Sequence, residues 1–132
     1  MIFLETSFLI AFYVEKDEHY KRAIEIMEEI ENKEKVISEM TVYETLTVLR
    51  KKNQDDKKLK EVYKNLVTSK DIAVFEDVIY YKQALENTFI NPIDFFDNLS
   101  HAVMINNDIE KIVSFDPDFD IFEDIKRIHW II

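Results

Sequence analysis

Short apolar runs along the chain alternate with longer segments in which apolar residues recur every three or four positions. Short runs of this kind, bounded by polar residues, are typical of buried strands. We predict strands, in chain order, at Ile2–Leu4, Val36–Ser38, Ile72–Phe75, Lys111–Phe115 and Ile128–Ile132. The run at Ile72–Phe75 is short, and the sequence leaves open whether it pairs in a sheet.

The periodic segments between these runs predict helices. Their expected positions are Phe8–Val14, Asp17–Glu31, Thr41 to about Leu66, Val78–Asn87 and Asp94–Asn106. Strands that are separated by helices favour βαβ units and a parallel sheet. The expectation is therefore an α/β fold in which residues 1–132 form a single domain.

The composition excludes several classes of function. The chain contains neither Cys nor Gly. Without Cys, disulfides and thiolate metal sites are excluded, and a reducing cytoplasm fits. Without Gly, a P-loop and a dinucleotide-binding fingerprint are both excluded, because each needs glycine where the backbone approaches phosphate. Since no apolar run reaches the roughly 18 residues of a membrane span, we expect a cytoplasmic protein without a membrane segment.

Charge is distributed unevenly along the chain. The formal net charge is −10, which repels nucleic acid unless basic residues cluster or a metal ion intervenes. The segment from Arg50 to Lys64 is the exception, with seven basic and three acidic residues. Arg50, Lys51 and Lys52 are its candidates for contact with an RNA backbone. The alternative, a helix face whose charges only keep the chain soluble, stays open.

Four carboxylates fall at predicted ends of strands or helices. Glu5 follows the first strand, and Asp116 follows the strand that ends at Phe115. Glu44 and Asp97 come three residues after a predicted helix start. Ligands of open parallel sheets bind outside the carboxyl ends of the strands, so we expect these four side chains to converge there.

Convergence of these four acids would require a cation, because ionised carboxylates repel one another strongly in a pocket of low dielectric. Oxygen ligands in a chain without Cys favour Mg²⁺ or Mn²⁺. Such an ion lowers the pKa of a bound water and stabilises charge on a phosphoryl oxygen. The set therefore indicates hydrolysis of a phosphodiester.

Most of these acids also have an ordinary structural interpretation. Thr41 and Glu44 match the capping-box pattern of a helix start. Asp97 suits the positive end of a helix dipole, and Asp116 lies in a turn sequence. Only Glu5 has no such role, since a lone acid after a buried strand is unfavourable unless it is paired or liganded. The set of four is stronger evidence than its members.

Three more polar residues lie near these acids. Asp118 and Asp120 follow Asp116 closely; each either supports the metal site or only forms a turn. His101 lies four residues after Asp97 on the same helix face. It hydrogen-bonds that carboxylate, serves as a proton carrier, or is only a packing or surface residue.

Four blocks of sequence resemble the motifs of the PIN-domain family and, within it, of the VapC-type toxin ribonucleases. The blocks are Ile2–Ile10 (IFLETSFLI), Ser38–Glu44 (SEMTVYE), Asp94–Asp97 (DFFD) with His101-Ala102 after it, and Ile112–Asp120 (IVSFDPDFD). The last block is the most specific of them. Together they cover nearly the whole chain.

The resemblance implies a PIN-like three-layer α/β/α fold with a central parallel sheet of four to five strands. It implies Mg²⁺ or Mn²⁺, endonucleolytic cleavage of RNA, a homodimer, and a small antitoxin protein that blocks the site. Thr6 or Ser7 would hold the first carboxylate or a metal-bound water through its hydroxyl. The catalytic and metal-binding residues that it implies are Glu5, Glu44, Asp97 and Asp116.

One position departs from the family pattern, because the family's first acid is Asp and this chain has Glu5. The extra methylene moves the carboxylate by about 1.5 Å, whereas active-site groups tolerate about 0.5 Å of misplacement. The alternative function is therefore a catalytically weak or inactive PIN-like module that binds RNA or protein. A phospho-acceptor receiver domain ranks lower, because it needs a Lys after a late strand, where this chain has Asp116-Pro117.

Overall fold

The computed structural model of the protein describes residues 1–130 and contains a five-stranded, all-parallel sheet. The strands lie in the order β3-β2-β1-β4-β5. Their bounds are β1 Ile2–Leu4, β2 Lys35–Ser38, β3 Ile72–Phe75, β4 Lys111–Val113 and β5 Lys126–Ile128. The predicted α/β class and the parallel sheet are confirmed, and Ile72–Phe75 does pair, next to β2.

Within the described part of the chain, six α-helices connect these strands, together with two 3₁₀ helices at Val78–Tyr80 and Pro117–Ile121. The α-helices are α1 Thr6–Tyr13, α2 Tyr20–Glu29, α3 Glu39–Lys51, α4 Asp56–Thr68, α5 Tyr81–Thr88 and α6 Phe95–Asn106. None of the helices within residues 1–130 is long and apolar enough to span a membrane.

The central strand β1 is apolar on both faces because both faces are covered by helices. Alternate residues of a strand point to opposite faces of the sheet. Ile2 and Leu4 accordingly pack in one core with residues of α1, α2, α3 and α4. Phe3 packs in a second core with residues of α5 and α6. The result is the three-layer α/β/α arrangement.

The strand order places a crevice between β1 and β4. The chain moves from β1 outward to β2 and β3, and then returns to the other side of β1 to form β4 and β5. At such a switch point the loops after two neighbouring strands diverge, which opens a binding site at the carboxyl edge of the sheet. Glu5 follows one of these strands and Ser114 follows the other.

The start of α3 differs from the prediction. Ser38, and not Thr41, caps the helix, and the reciprocal partner of Ser38 in the capping box is Thr41. The buried carboxylate of Asp77 also fixes the first turn of α3, because its Oδ2 accepts a hydrogen bond of 2.8 Å from the backbone N–H of Met40. The predicted capping box of Thr41 and Glu44 is therefore wrong, and Glu44 is not needed to cap the helix.

Several other predicted bounds also shift, each for a local reason. The helix expected from Thr41 to about Leu66 is two helices, because the backbone reverses at Asn53 with φ of 61° and Asp55 caps α4. The helix expected at Val78–Asn87 begins as a 3₁₀ turn. The expected last strand lies earlier, at Lys126–Ile128, and residues 131–132 of that prediction are outside the described residues.

Candidate metal centre

A cavity of about 430 Å³ opens at the carboxyl edge of the sheet, above β1 and β4. The four predicted acids all line it. The full set of lining residues is Glu5, Thr6, Ser7, Ile10, Asp17, Glu18, His19, Glu44, Val48, Lys52, Asp94, Asp97, Phe115 and Asp116. Residues far apart in the chain are thus brought together at one edge of the sheet.

Glu5 is held by two serine hydroxyls. Ser7 Oγ and Ser114 Oγ each donate a hydrogen bond to Glu5 Oε1. Each hydroxyl in turn accepts a backbone N–H at 3.0 Å, Ser7 from Phe115 and Ser114 from Asp116. The carboxylate therefore ties the start of α1 to the segment after β4.

Glu44 is attached to the same strand end by a different hydroxyl. It lies on the first turns of α3 and is half-buried. Thr6 Oγ1 donates a hydrogen bond to its Oε1. Thr6 thus links α1 to Glu44, while Ser7 links α1 to Glu5, so the two adjacent hydroxyls orient two different acids.

Asp97 and Asp116 are positioned by the starts of two helices. Asp94 caps α6 by accepting the N–H of Asp97 at 2.9 Å, which places Asp97 in the first helical turn. Asp116 caps the 3₁₀ helix by accepting the N–H of Asp118 at 2.9 Å. Carboxylate oxygens of Asp97, Asp116 and Asp118 lie within 4.8 Å of one another, close enough to share one ion.

The protonation of these acids reflects their burial and mutual repulsion. Burial raises the pKa of Glu5 to about 7, although the two serine hydroxyls oppose the shift. Burial, followed by the nearby charges of Asp94, Glu5 and Asp116, raises the pKa of Asp97 to about 8. Burial also raises the pKa of Glu44. Acids that resist ionisation in this way are stabilised by a cation.

The donor set suits a hard divalent cation. Carboxylate oxygens surround the site, and Mg²⁺ and Mn²⁺ prefer such ligands. The residues best placed to hold the ion are Asp97, Asp116 and Asp118. Glu5 and Glu44 face the same cavity and are oriented by hydroxyl donors.

The structure assigns clear surroundings to two residues that the sequence left open. His101 Nε2 lies 2.8 Å from Asp124 Oδ1, and its ring stacks on Phe122 at 3.7 Å between centroids. Asp120 forms two hydrogen bonds with Arg127, at 2.9 and 3.0 Å, and these bonds lower the pKa of its carboxyl. Both residues fix the segment after β4 and do not line the cavity.

The three basic residues that are candidates for contact with RNA have different surroundings in the structure. Lys52 lines the cavity. Arg50 instead forms an exposed ion pair of 2.8 Å with Asp56, and Lys51 is exposed.

Sequence reasoning missed several residues of the site. Ser114 anchors Glu5, Asp94 is a second acid beside Asp97, and His19 with Asp17 forms part of the cavity wall. A hydroxyl two residues before Asp116 was the available signal for Ser114, but the predicted strand extended to Phe115 and concealed it. Nothing in the sequence places the Asp17–His19 segment near β4.

Comparison with known proteins shows which of them share this fold. A family model described as PIN domain matches residues 2–125. Among solved structures, VapC20 from Mycobacterium tuberculosis, described as a Sarcin-Ricin loop cleaving toxin, is similar with a TM-score of 0.80 and 22% identity; the match covers 95% of this chain and 97% of that one.

Two further solved structures share the fold. FitAcB from Neisseria gonorrhoeae has a TM-score of 0.66 and 17% identity, and the match covers 97% of this chain and 96% of that one. PAE2754 from Pyrobaculum aerophilum has a TM-score of 0.63 and 18% identity, with 96% and 87% covered. No curated protein matches the sequence significantly.

The raised pKa values of Glu5 and Asp97 predict how the stability of the metal-free protein depends on pH. Glu5 and Asp97 keep protons up to about pH 7 and about pH 8 when folded, against ordinary values of 4.5 and 3.8. Between roughly pH 4 and pH 8 the folded state therefore binds more protons, and the free energy of unfolding falls as pH rises. We expect the Tm with chelator to fall from pH 5 to pH 8, and Mn²⁺ to raise it most at pH 8.

The control for this measurement is Asp97→Asn, which removes the strongest of these protonation differences. Its Tm with chelator should decline less steeply with pH than that of the wild type, and Mn²⁺ should raise it less. Asp71→Asn, at an exposed position before β3 on the opposite edge of the sheet, should follow the wild type. Equal slopes for all three proteins would contradict the assignment.

Proposed function

The chain belongs to the PIN-domain family, and from this membership we propose that it is a metal-dependent endoribonuclease that acts as the toxin of a toxin–antitoxin pair. The observation that supports the proposal most is the convergence of acids from four separate chain segments on one cavity. Two of them, Asp97 and Asp116, offer oxygens within 4.8 Å of each other and of an oxygen of Asp118.

The proposed catalytic residues have different roles, which follow from their positions in the cavity. Asp97, Asp116 and Asp118 hold Mg²⁺ or Mn²⁺. When bound, the ion supplies a bound water of lowered pKa and neutralises charge on a phosphoryl oxygen. Glu44, which is half-buried and held by Thr6, accepts the proton of the attacking water. Glu5 keeps Ser7 and Ser114 in place beneath the site.

The expected products follow from the attacking group. Water attacks phosphorus in line with the leaving oxygen, so that the bond to the 3′ oxygen breaks. The products are then a 5′-phosphate and a 3′-hydroxyl. Lys52 is the best placed of the basic candidates to contact the RNA backbone, because it lines the cavity while Arg50 is paired with Asp56.

A binding module without useful catalysis is the second candidate, and Glu5 is the observation that favours it. Its carboxylate is engaged by two serine hydroxyls and, in the absence of metal, its pKa of about 7 leaves it partly protonated near neutral pH. A protonated Glu5 adds no negative charge beside the ion site. On this alternative the cavity binds RNA or an antitoxin-like protein without cleaving RNA.

The proposed assembly is a homodimer through an apolar patch at α5. We define the α5 patch as Val78, Ile79, Leu85, Phe89 and Ile90, which are between 52% and 82% exposed. A protein of net charge −10 repels its own copies. A close approach between copies is easiest at a surface that is mostly uncharged, and apolar patches of this kind mark interfaces.

The toxin role adds one further partner, a small antitoxin protein that covers the cavity. VapC20, which shares the fold, is described as a toxin, and the antitoxin is the partner that we propose for such a role. The seven carboxylates of the cavity wall favour an antitoxin segment that carries positive charge.

The central prediction concerns cleavage of RNA. Purified protein with Mn²⁺ should cut a mixed single-stranded RNA, and chelator should abolish the cutting. Asp97→Asn should reduce the rate by roughly 100-fold or more, because it removes a proposed ligand of the ion. Asp71→Asn is the matched control and should keep the wild-type rate. Cleavage that survives both chelator and Asp97→Asn would overturn the proposal.

Glu5→Asp separates the nuclease from the binding module. If the protein is a nuclease, the wild type cleaves RNA, and Glu5→Asp changes the rate by less than about tenfold, in either direction. If it is a binding module, the wild type binds RNA without cleaving it, and any cleavage appears only in the variant. The measurement is the initial rate of cleavage with Mn²⁺, beside the Kd of the same RNA.

The dimer is tested by a charge in the α5 patch. Phe89 is 82% exposed, so Phe89→Glu should not disturb the core. It should convert a dimer to a monomer, because a buried unpaired carboxylate opposes association. Val67→Glu, at a 39% exposed apolar position on α4, is the control and should leave the dimer intact. Light scattering after size exclusion gives the mass; a monomeric wild type would refute the dimer.

A further inference from the structure

His19 lies at the rim of the cavity and has no part in the proposed chemistry. It precedes α2, and its backbone is fixed on both sides: its N–H donates to Asp17 Oδ1 at 2.8 Å, and its carbonyl accepts from Ala23 at 2.9 Å. Its side chain is 35% exposed. A rigidly held aromatic ring at the rim of the site is a candidate for contact with substrate.

The ring of His19 is the outer end of a row of aromatic rings. It stacks on Phe115 with centroids 4.5 Å apart and planes 13° from parallel. Phe115 packs in turn on Phe8 at 6.1 Å, and Phe8 on Phe12 at 6.4 Å. Phe115 covers one face of the imidazole, so the exposed part of His19 lies on its other face and its edge, and the residue lines the cavity.

Phe115, the second ring of the row, lies within the candidate metal centre. The backbone N–H of Phe115 donates to Ser7 Oγ, the same hydroxyl that holds Glu5. The next residue, Asp116, is one of the three acids that share the ion site. A planar group stacked on His19 would therefore lie beside the scissile phosphate.

The charge of the cavity wall favours a base over a phosphate at this position. Seven of its residues are acidic, and Lys52 is the only lysine or arginine among those that line it. Glu44 and Val48 lie four residues apart on α3, and Lys52 is the residue at its C-terminal cap. The helical rise puts the backbone of Lys52 about 12 Å from that of Glu44. Lys52 is thus placed for a flanking phosphate, whereas a neutral nucleobase meets no repulsion at His19.

We propose that the His19–Phe115 stack is a platform for one unpaired nucleobase that flanks the scissile phosphate. The inference rests on the proposed function. Stacking on an aromatic side chain accepts any base and requires that the base be free of a helix. His19 is in this view a residue of substrate specificity and not of proton transfer.

The test measures binding in the Asp97→Asn background, where cleavage is not expected. The probes are a short single-stranded oligoadenylate, the same strand paired with oligouridylate, and a ribose-phosphate chain of equal length without bases. His19→Ala should weaken binding of the single strand roughly tenfold, as expected for loss of one base stack. It should leave binding of the other two probes unchanged, and His19→Phe should restore the affinity.

His101→Ala is the matched control, because His101 also stacks on a phenylalanine but does not line the cavity. It should leave the affinity for all three probes at the level of the parent. Thermal melts of each variant show whether the chain is folded; His19→Phe keeps the ring packed on Phe115 and serves as the folded comparison if His19→Ala is destabilised.

The outcomes distinguish this inference from the proposed function. If wild-type protein cleaves RNA with Mn²⁺ but His19→Ala weakens all three probes equally, or none of them, the platform is wrong and the nuclease stands. If the predicted selectivity appears but no cleavage occurs, the platform stands in a binding module. If the Asp97→Asn parent binds no probe, the platform is overturned.

Discussion

The main physical constraint on the structure is the burial of like-charged carboxylates at the point where β1 and β4 end. Such a cluster is unfavourable by itself, because removal from water and mutual repulsion both oppose ionisation. The raised pKa values of Glu5 and Asp97 are direct consequences. Hydroxyl groups compensate part of this penalty for Glu5 and Glu44, whereas Asp97 and Asp116 are positioned by the starts of two helices.

The hydrogen bonds of the serine hydroxyls also explain physically why a Glu, which is longer than Asp, fits at position 5. A carboxylate at position 5 must reach the segment after β4, and Ser114 Oγ and Ser7 Oγ both meet it at Oε1. The two serines bind the backbone of Phe115 and Asp116 at the same time. Glu5 therefore acts as a cross-link between two strand ends, and the position of Asp116 depends on it.

The surface of the protein separates its proposed partners by chemistry. The cavity is acidic and suits a cation and a positively charged protein segment. Its rim offers one lysine and one stacked imidazole, which suit single-stranded RNA. The α5 patch is apolar and lies in the layer of α5 and α6, on the other side of the sheet from α3 and α4. Catalysis and self-association would thus use different surfaces.

The sequence by itself determined the class of fold, the order of its strands along the chain and the four acids. Apolar runs and helical periodicity depend only on local spacing, and these signals survive without knowledge of contacts. Only the tertiary structure decided what each acid touches. The capping box of α3 joins Ser38 to Thr41 and leaves Glu44 free of it. Thr6 and Ser7 hydrogen-bond different acids, and Asp118 lies with Asp97 and Asp116. His19 reached the site through a stack on a residue 96 positions away, a contact made by the return of the chain to β4 that no local pattern encodes.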